Sequence, residues 1–346
     1  MIESLRIAIA GATGYVGIEL IKILTKHPRV KIIYLCANKS VGKKVQQFDK
    51  NIKNKKLPKL TKVKDINWNN IDIIFTALPN GEAQKIANKK PKTVTLIDLS
   101  GDFRLKNSMD YKKWYGIEHR SKNLISSSVY AITEFKRSNL NKYNIISCPG
   151  CYPTSIQIPL IPLVEKKMIN IHNIIVDSKS GYSGAGKNIK KKHNYKNIFN
   201  SVSAYGVGAH KHMSEIDQEI SFISKKKVHI SFTPHLIPMF RGILSTIYLD
   251  VTKNNNANKI YNYLKKYHEK NTFVKFSKFN SPLGTGDVMN SNYCKISVCK
   301  TQNPKKIILI SCIDNLIKGA SGQAVQNMNV AFNLKESLGL TWNYYS

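Results

Sequence analysis

Apolar residues in this chain come in short runs, separated by stretches with helical spacing. Residues 5–10 (Leu-Arg-Ile-Ala-Ile-Ala) form the first run, residues 11–17 are glycine-rich, and residues 18–26 repeat apolar positions every three to four residues. Residues 30–37, 71–78 and 93–99 read as further strands, with a helix over 81–89 between the last two. Residues 50–64 are polar and lysine-rich, which predicts a surface loop with an edge strand. Residues 143–146 read as a strand. Pro149 and Gly150 force a turn, and 152–164 then read as a helix interrupted by Pro159 and Pro162. Strand alternating with helix predicts a doubly wound parallel sheet. The pattern then changes. Residues 174–179, 228–236, 242–251, 291–300 and 305–314 read as strands, with the second and third of these expected to pair as antiparallel neighbours through residues 238–241. An amphipathic helix is predicted over 258–268. Residues 315–329 open with small residues and continue as a helix that returns to the first domain. The fold class is therefore α/β: a Rossmann sheet plus an α+β second domain with a largely antiparallel sheet. The expected division is 1–150 with 316–346 against 151–315. No internal repeat or coiled coil is present.

A length of 346 residues agrees with about two domains. No run approaches the roughly 18 apolar residues of a membrane span. The first strand starts at Leu5, so no signal or transit peptide is expected. Six cysteines, mostly in apolar strand-like settings, do not form a disulfide framework, and a reducing cytoplasm is the expected compartment. The formal charge of +33 is large, but its lysines are spread along the chain. No nucleic-acid recognition module accompanies them, so neither nucleic acid nor membrane is expected as a partner. Lys, Asn and Ile are abundant together, the mark of an AT-biased genome. The charge should still draw anionic ligands inward.

Candidate chemistry gathers at predicted strand ends, where ligands collect in such sheets. Gly11, Gly14 and Gly17 lie between a strand and a helix. Gly11 permits the tight turn, Gly14 lets backbone approach a pyrophosphate, and Gly17 lets the helix pack on the sheet. After the second strand an NAD site commonly has an acid for the ribose. Here residues 36–44 carry none, and Lys39 and Ser40 suit a 2′-phosphate, which predicts NADP. Arg104 can hold a carboxylate or phosphate through two bonds, or pair with Asp102 or another acid. Cys151 falls at the predicted helix start, where the dipole favours thiolate, a nucleophile. Residues 180–187, with the Lys-rich stretch that runs on to Asn200, read as a mobile loop whose amides and Lys187 can meet an anion. His210 and His212 precede a helix predicted over 214–223. With no third ligand at matching spacing, zinc is rejected and no metal is expected. A histidine near a cysteine nucleophile shuttles protons, whereas a role in capping the helix suits His212 better than His210.

Together these motifs resemble the N-acetyl-gamma-glutamyl-phosphate reductase family of arginine biosynthesis, within the aspartate-semialdehyde dehydrogenase superfamily. The matching segments are 11–17, 100–104, 149–154, 178–187, 205–216, 234–243 and 318–329. The resemblance implies an NADPH-dependent reduction of an N-acetylglutamyl phosphate through a cysteine thioester, in a homodimer or homotetramer built through the second domain. It implies Cys151 as nucleophile and His210 as the catalytic histidine, with Arg104, Lys187, Tyr205 and His212 around the substrate. Gly11, Thr13, Gly14, Tyr15, Val16, Lys39, Ser40, Gly322, Gln323 and Asn327 would hold the cofactor. The chain departs from the family where Lys211 replaces arginine, Ser214 replaces proline and Lys187 stands where arginine is common; both lysines lose the bidentate fork. Cys148 adds a Cys-x-x-Cys spacing that suggests oxidation of Cys151 by pairing with it. A one-carbon-longer or carrier-linked acyl phosphate, and aspartyl phosphate, remain alternatives, since one methylene is worth only about 1–3 kcal/mol.

Overall fold

The structure, a computed structural model, describes residues 4–54, 56–187 and 200–341. The chain divides into two compact units. One runs to Pro149 and resumes at Ala320, and the other spans Gly150–Gly319.

The first unit is built on seven strands: β1 (Leu5–Ala10), β2 (Val30–Cys36), β3 (Leu60–Thr61), β4 (Ile73–Thr76), β5 (Thr95–Asp98), β6 (Ser128–Tyr130) and β7 (Ile145–Ser147). Their order is β3-β2-β1-β4-β5-β7-β6, and every pairing is parallel. The central strands are buried on both faces, so they read as continuous apolar runs rather than as alternation. The helix after β1 is Tyr15–Leu24, three residues earlier than its apolar spacing suggested, because Gly14 serves as its cap residue. Helix Gly322–Ala331 belongs to this unit and is buried along nearly its whole length.

The second unit carries β8 (Ile169–Gly181), β9 (Ser203–Ala204), β10 (Ser231–Ile237), β11 (Ile243–Val251), β12 (Val274–Phe276), β13 (Cys294–Lys300) and β14 (Lys306–Ile313), in the order β12-β13-β14-β11-β8-β10-β9. The sheet is mixed. β8 runs antiparallel to β11 but parallel to β10, so β10 and β11 are not the neighbours their sequence adjacency predicted. β8 lies between them, because residues 238–242 cross over rather than close a hairpin.

Helix Cys151–Glu165 lies against β8, β11, β13 and β14. Thirteen successive residues from Tyr152 to Val164 are buried, as expected of a helix apolar all round. Pro159 and Pro162 do not interrupt it. Pro162 brings no N–H for the Ile158 carbonyl four residues back. That oxygen lies 3.1 Å from Nε2 of buried His268, whose Nδ1 is 2.8 Å from Asn271 Nδ2. One turn into this helix, Ser155 and Ser178 both meet the Ser245 hydroxyl at 2.7 Å, joining the helix to β8 and β11. No helix among the described residues is long and apolar enough to cross a membrane.

Candidate active site

In the first unit the glycine-rich turn is drawn onto the end of β2, where the Gly11 and Ala12 amides both donate to the Cys36 carbonyl. Gly11 has φ +92°, and a Cβ there would fall on the Ala77 carbonyl. A Cβ on Gly17 would strike the Gly11 carbonyl and stand 2.9 Å from Ala12 Cα, so this glycine is required by the turn itself rather than by helix–sheet packing. Gly14 differs: its nearest neighbour would be 3.5 Å away. The protein does not need that space, but an approaching pyrophosphate does. The helix starts at the next residue with no side chain capping it and no acid in its first turn. Thr13, Tyr15 and Val16 are partly exposed there, Lys39 is exposed, and Ser40 is half-buried in the loop after β2.

The Ser321 hydroxyl donates to the Val16 carbonyl at 3.0 Å, bringing Gly322 and Gln323 to the glycine-rich helix. Gln323 is 1% exposed, yet neither amide atom has a hydrogen-bond partner among the described residues. Such an orphaned amide calls for a ligand. With the bare backbone at Gly14, it fits a dinucleotide. The Asn327 side chain differs from that of Gln323 in having partners. Its Oδ1 accepts from the Thr133 hydroxyl at 2.6 Å, and its Nδ2 faces the Ala131 carbonyl and Cys148 Sγ. Its side-chain amide is thus engaged within this unit.

Arg104 is buried, with Nε donating to the Cys148 carbonyl at 2.8 Å and Nη2 to the Leu99 carbonyl at 3.4 Å. Its surroundings are set by Asp98, a residue the motif reading passed over. Asp98 accepts from the Thr76 hydroxyl and from the Ser100, Asp102 and Phe103 amides, so it shapes the whole 100–104 segment. Burial and the neighbouring Asp102 raise its carboxyl above the usual range.

In the second unit Cys151 is the first residue of its helix, after Gly150 in extended conformation. Gly150 supplies no capping side chain and the first turn holds no acid of its own; the carboxylate that meets this helix end is that of Glu215, from another helix. Two glycines shape the space. A Cβ on Gly319 would stand 2.7 Å from Cys151 Cβ, and one on Gly150 would stand 2.5 Å from His212 Nε2. The His212 imidazole therefore rests on the residue before Cys151.

The helix bearing His212 starts two residues earlier than expected and spans His212–Ser224. The cause is His210, whose Nδ1 accepts the His212 backbone amide at 3.1 Å. The capping role falls to His210, not to His212 as the sequence suggested. That bond leaves the proton of neutral His210 on Nε2. Burial, helped by the charge of Lys211, lowers the His210 imidazole to about 4. Its ring stands edge-on to Tyr152 and Tyr205, at 5.5 and 5.3 Å between centroids. The Tyr205 hydroxyl donates to that of Tyr152 at 3.1 Å, and burial beside Tyr205 holds the Tyr152 phenol well above its ordinary range.

Glu215 was missed by the sequence reading. Fully buried, it accepts the Gly150 amide at 2.8 Å through Oε2, while Oε1 lies 3.9 Å from His212 Nε2. The spacing His-x-x-Glu, one helical turn on the same face, is the signal that could have found it.

One expectation is corrected. Residues 180–186 are not a mobile loop. β8 continues to Gly181, and the Tyr182 and Ser183 amides donate to the Met239 and Phe240 carbonyls. Lys187 is exposed just beyond, and residues 188–199 lie outside the described residues. Cys148 and Cys151 stand three positions apart, on either side of Pro149 and Gly150. Both are free thiols, and Cys148 is buried against the Asn327 amide, which with Arg104 offsets only part of a burial effect that pushes its thiol up to about 12.

A family profile described as "Semialdehyde dehydrogenase, NAD binding domain" matches residues 6–143, and one described as "Semialdehyde dehydrogenase, dimerisation domain" matches 151–315. The chain is 42% identical over 340 residues to a probable chloroplastic N-acetyl-gamma-glutamyl-phosphate reductase of Oryza sativa subsp. japonica, covering 98% of this chain and 82% of that one. It is 41% identical over 346 residues to the N-acetyl-gamma-glutamyl-phosphate reductase of Afipia carboxidovorans, covering 98% of each. Aspartate semialdehyde dehydrogenase II of Vibrio cholerae shares the fold, with a TM-score of 0.71 at 18% identity over 96% of this chain and 99% of that one. Aspartate semialdehyde dehydrogenase of Candida albicans, solved with NADP, gives 0.70 at 16% identity over 95% and 98%. By sequence across nearly its whole length, the chain belongs to the N-acetyl-gamma-glutamyl-phosphate reductase family.

Proposed function

We propose that this protein reduces N-acetyl-L-glutamyl 5-phosphate to N-acetyl-L-glutamate 5-semialdehyde and phosphate, with NADPH as reductant, in arginine biosynthesis. The observation that carries the reading is Cys151 at the start of its helix, with His212 and Glu215 built against Gly150. His212 takes the thiol proton, and Glu215 steadies the imidazolium that results. The Cys151 sulfur then attacks the acyl carbon, and the carbon–oxygen bond to phosphate breaks, leaving a thioester. Amides at the helix start hold the developing oxyanion. The cofactor, when bound, supplies the hydride that turns the thioester into a hemithioacetal. Its collapse releases the aldehyde and returns the electron pair to Cys151. The acyl phosphate is activated enough to need no metal.

This reading moves the proton shuttle from His210 to His212. His210 keeps its ring nitrogen on the helix amide and offers only its Nε2–H to the substrate. Arg104 and Lys187 are proposed to hold phosphate or carboxylate. Lys39 and Ser40, with no acid after β2, support NADP over NAD. A homo-oligomer built through the second sheet is supported by the description of the matched profile, and by Ile175 and Tyr248, cross-strand neighbours both more than two-fifths exposed. Six free cysteines support a reducing cytoplasm.

The test is the reverse reaction. Protein, N-acetylglutamate semialdehyde, NADP and phosphate are mixed and nicotinamide absorbance is followed. Phosphate-dependent NADPH formation is expected. It should vanish in Cys151→Ser and fall roughly 10²- to 10⁴-fold in His212→Asn. Turnover with NAD alone would overturn the Lys39 and Ser40 assignment. Turnover only with the longer lysine-pathway semialdehyde would overturn the substrate.

A further inference from the structure

We propose that Asn315 is a positioning residue that sets the phosphate-holding turn against the wall of the nucleophile. The inference rests on the reading above, in which the turn ending at Lys187 meets the phosphate. Asn315 is the second residue after β14 and is 3% exposed. Its Oδ1 accepts the Gly242 amide at 2.7 Å, and its Nδ2 donates to the Ser183 hydroxyl at 2.9 Å. One side chain thus holds both the crossover loop 238–242 and the turn Tyr182–Ala185. The loop and turn are themselves laced together, since Gly181 donates to the Gly242 carbonyl and a Cβ on Gly181 would stand 2.7 Å from the Arg241 amide nitrogen.

The preceding residue anchors this side chain. Asp314 is fully buried; Oδ2 accepts from Arg241 Nη1 at 3.1 Å and from the Asn290 amide at 2.8 Å, and Oδ1 takes the Leu316 amide at 2.9 Å. Its carbonyl accepts from Gly319, the residue whose missing side chain makes room for Cys151. Residues 314 and 315 therefore carry the nucleophile's wall on one arm and the turn on the other. Cutting the Ser183 bond should loosen the turn and leave the wall in place. The two arms are separable by experiment, which a generally structural residue would not allow.

The experiment measures alkylation of Cys151 by iodoacetamide, read by mass spectrometry, with and without inorganic phosphate. It needs no turnover, so it stands apart from the assay above. Phosphate should protect Cys151 in the wild type. Ser183→Ala should raise the protective phosphate concentration roughly two- to tenfold, the size of one lost hydrogen bond, and leave the phosphate-free alkylation rate unchanged. Asn315→Ala should raise it at least as much, and adding Ser183→Ala to Asn315→Ala should change nothing further. An unchanged protective concentration in Ser183→Ala, additive effects of the two substitutions, or a wild type that phosphate does not protect would each overturn the proposal.

Discussion

His210 and His212 stand two residues apart, yet their environments set them apart. His210 gives its Nδ1 to a backbone amide and is held neutral by burial, down to about 4. An unfolded histidine titrates near 6.5. Between those values the unfolded chain binds a proton that the folded chain refuses. Stability is therefore whole above about pH 6.5 and is lost as pH falls toward 4. Burial shifts His27 and His119 the same way. The thermal midpoint of the wild type should drop between pH 7 and pH 5, and His210→Gln, which can still accept the His212 amide, should drop less. An equal drop in both proteins would remove His210 from this account. The division was not legible in the sequence, because the decisive contact is made by a backbone amide and not by a residue type. Glu215 was hidden for a similar reason: its partner Gly150 is 65 positions away. Cys151 was legible because Pro149 and Gly150 announce the turn that exposes it.

At the scale of elements, local chemistry was read well and long-range pairing was not. The glycine-rich turn was visible because a positive φ at Gly11 leaves few alternatives. The interposition of β8 between β10 and β11 depends on a partner more than fifty residues earlier, and no local pattern encodes it. The intact helix through Pro159 and Pro162 shows the same limit. A proline's cost is local, but its remedy at Ile158 comes from His268, 110 residues on. Removing that remedy with His268→Ala should cost about 1–3 kcal/mol, the penalty for a buried carbonyl left unpaired. Pro162→Ala restores an N–H to the helix, so the same His268→Ala change should cost less in that background. Urea unfolding of the four proteins measures the cycle, and equal costs in both backgrounds would refute the link.

Across the whole molecule, the +33 charge is the feature that the chemistry uses least. Its effect should be on encounter with anions and not on the bond-making step. Raising salt from 20 to 200 mM shortens the screening length from roughly 20 Å to below 10 Å. Accordingly, kcat/KM for the anionic substrate should fall several-fold while kcat holds. A fall confined to kcat would place the charge in the active site instead. The same composition gives the glycines another meaning. In a chain drifting toward Lys, Asn and Ile, a GC-rich glycine codon is under steady pressure to change. At Gly286 a side chain would meet nothing within 4 Å, so the drift meets no steric resistance there. At Gly11, Gly17, Gly150, Gly181 and Gly319 every one-base missense exchange adds a Cβ where backbone, the His212 ring or Cys151 already stands. Those positions are where the reading frame carries the shape of two candidate regions, one in each unit, as a ban on added atoms.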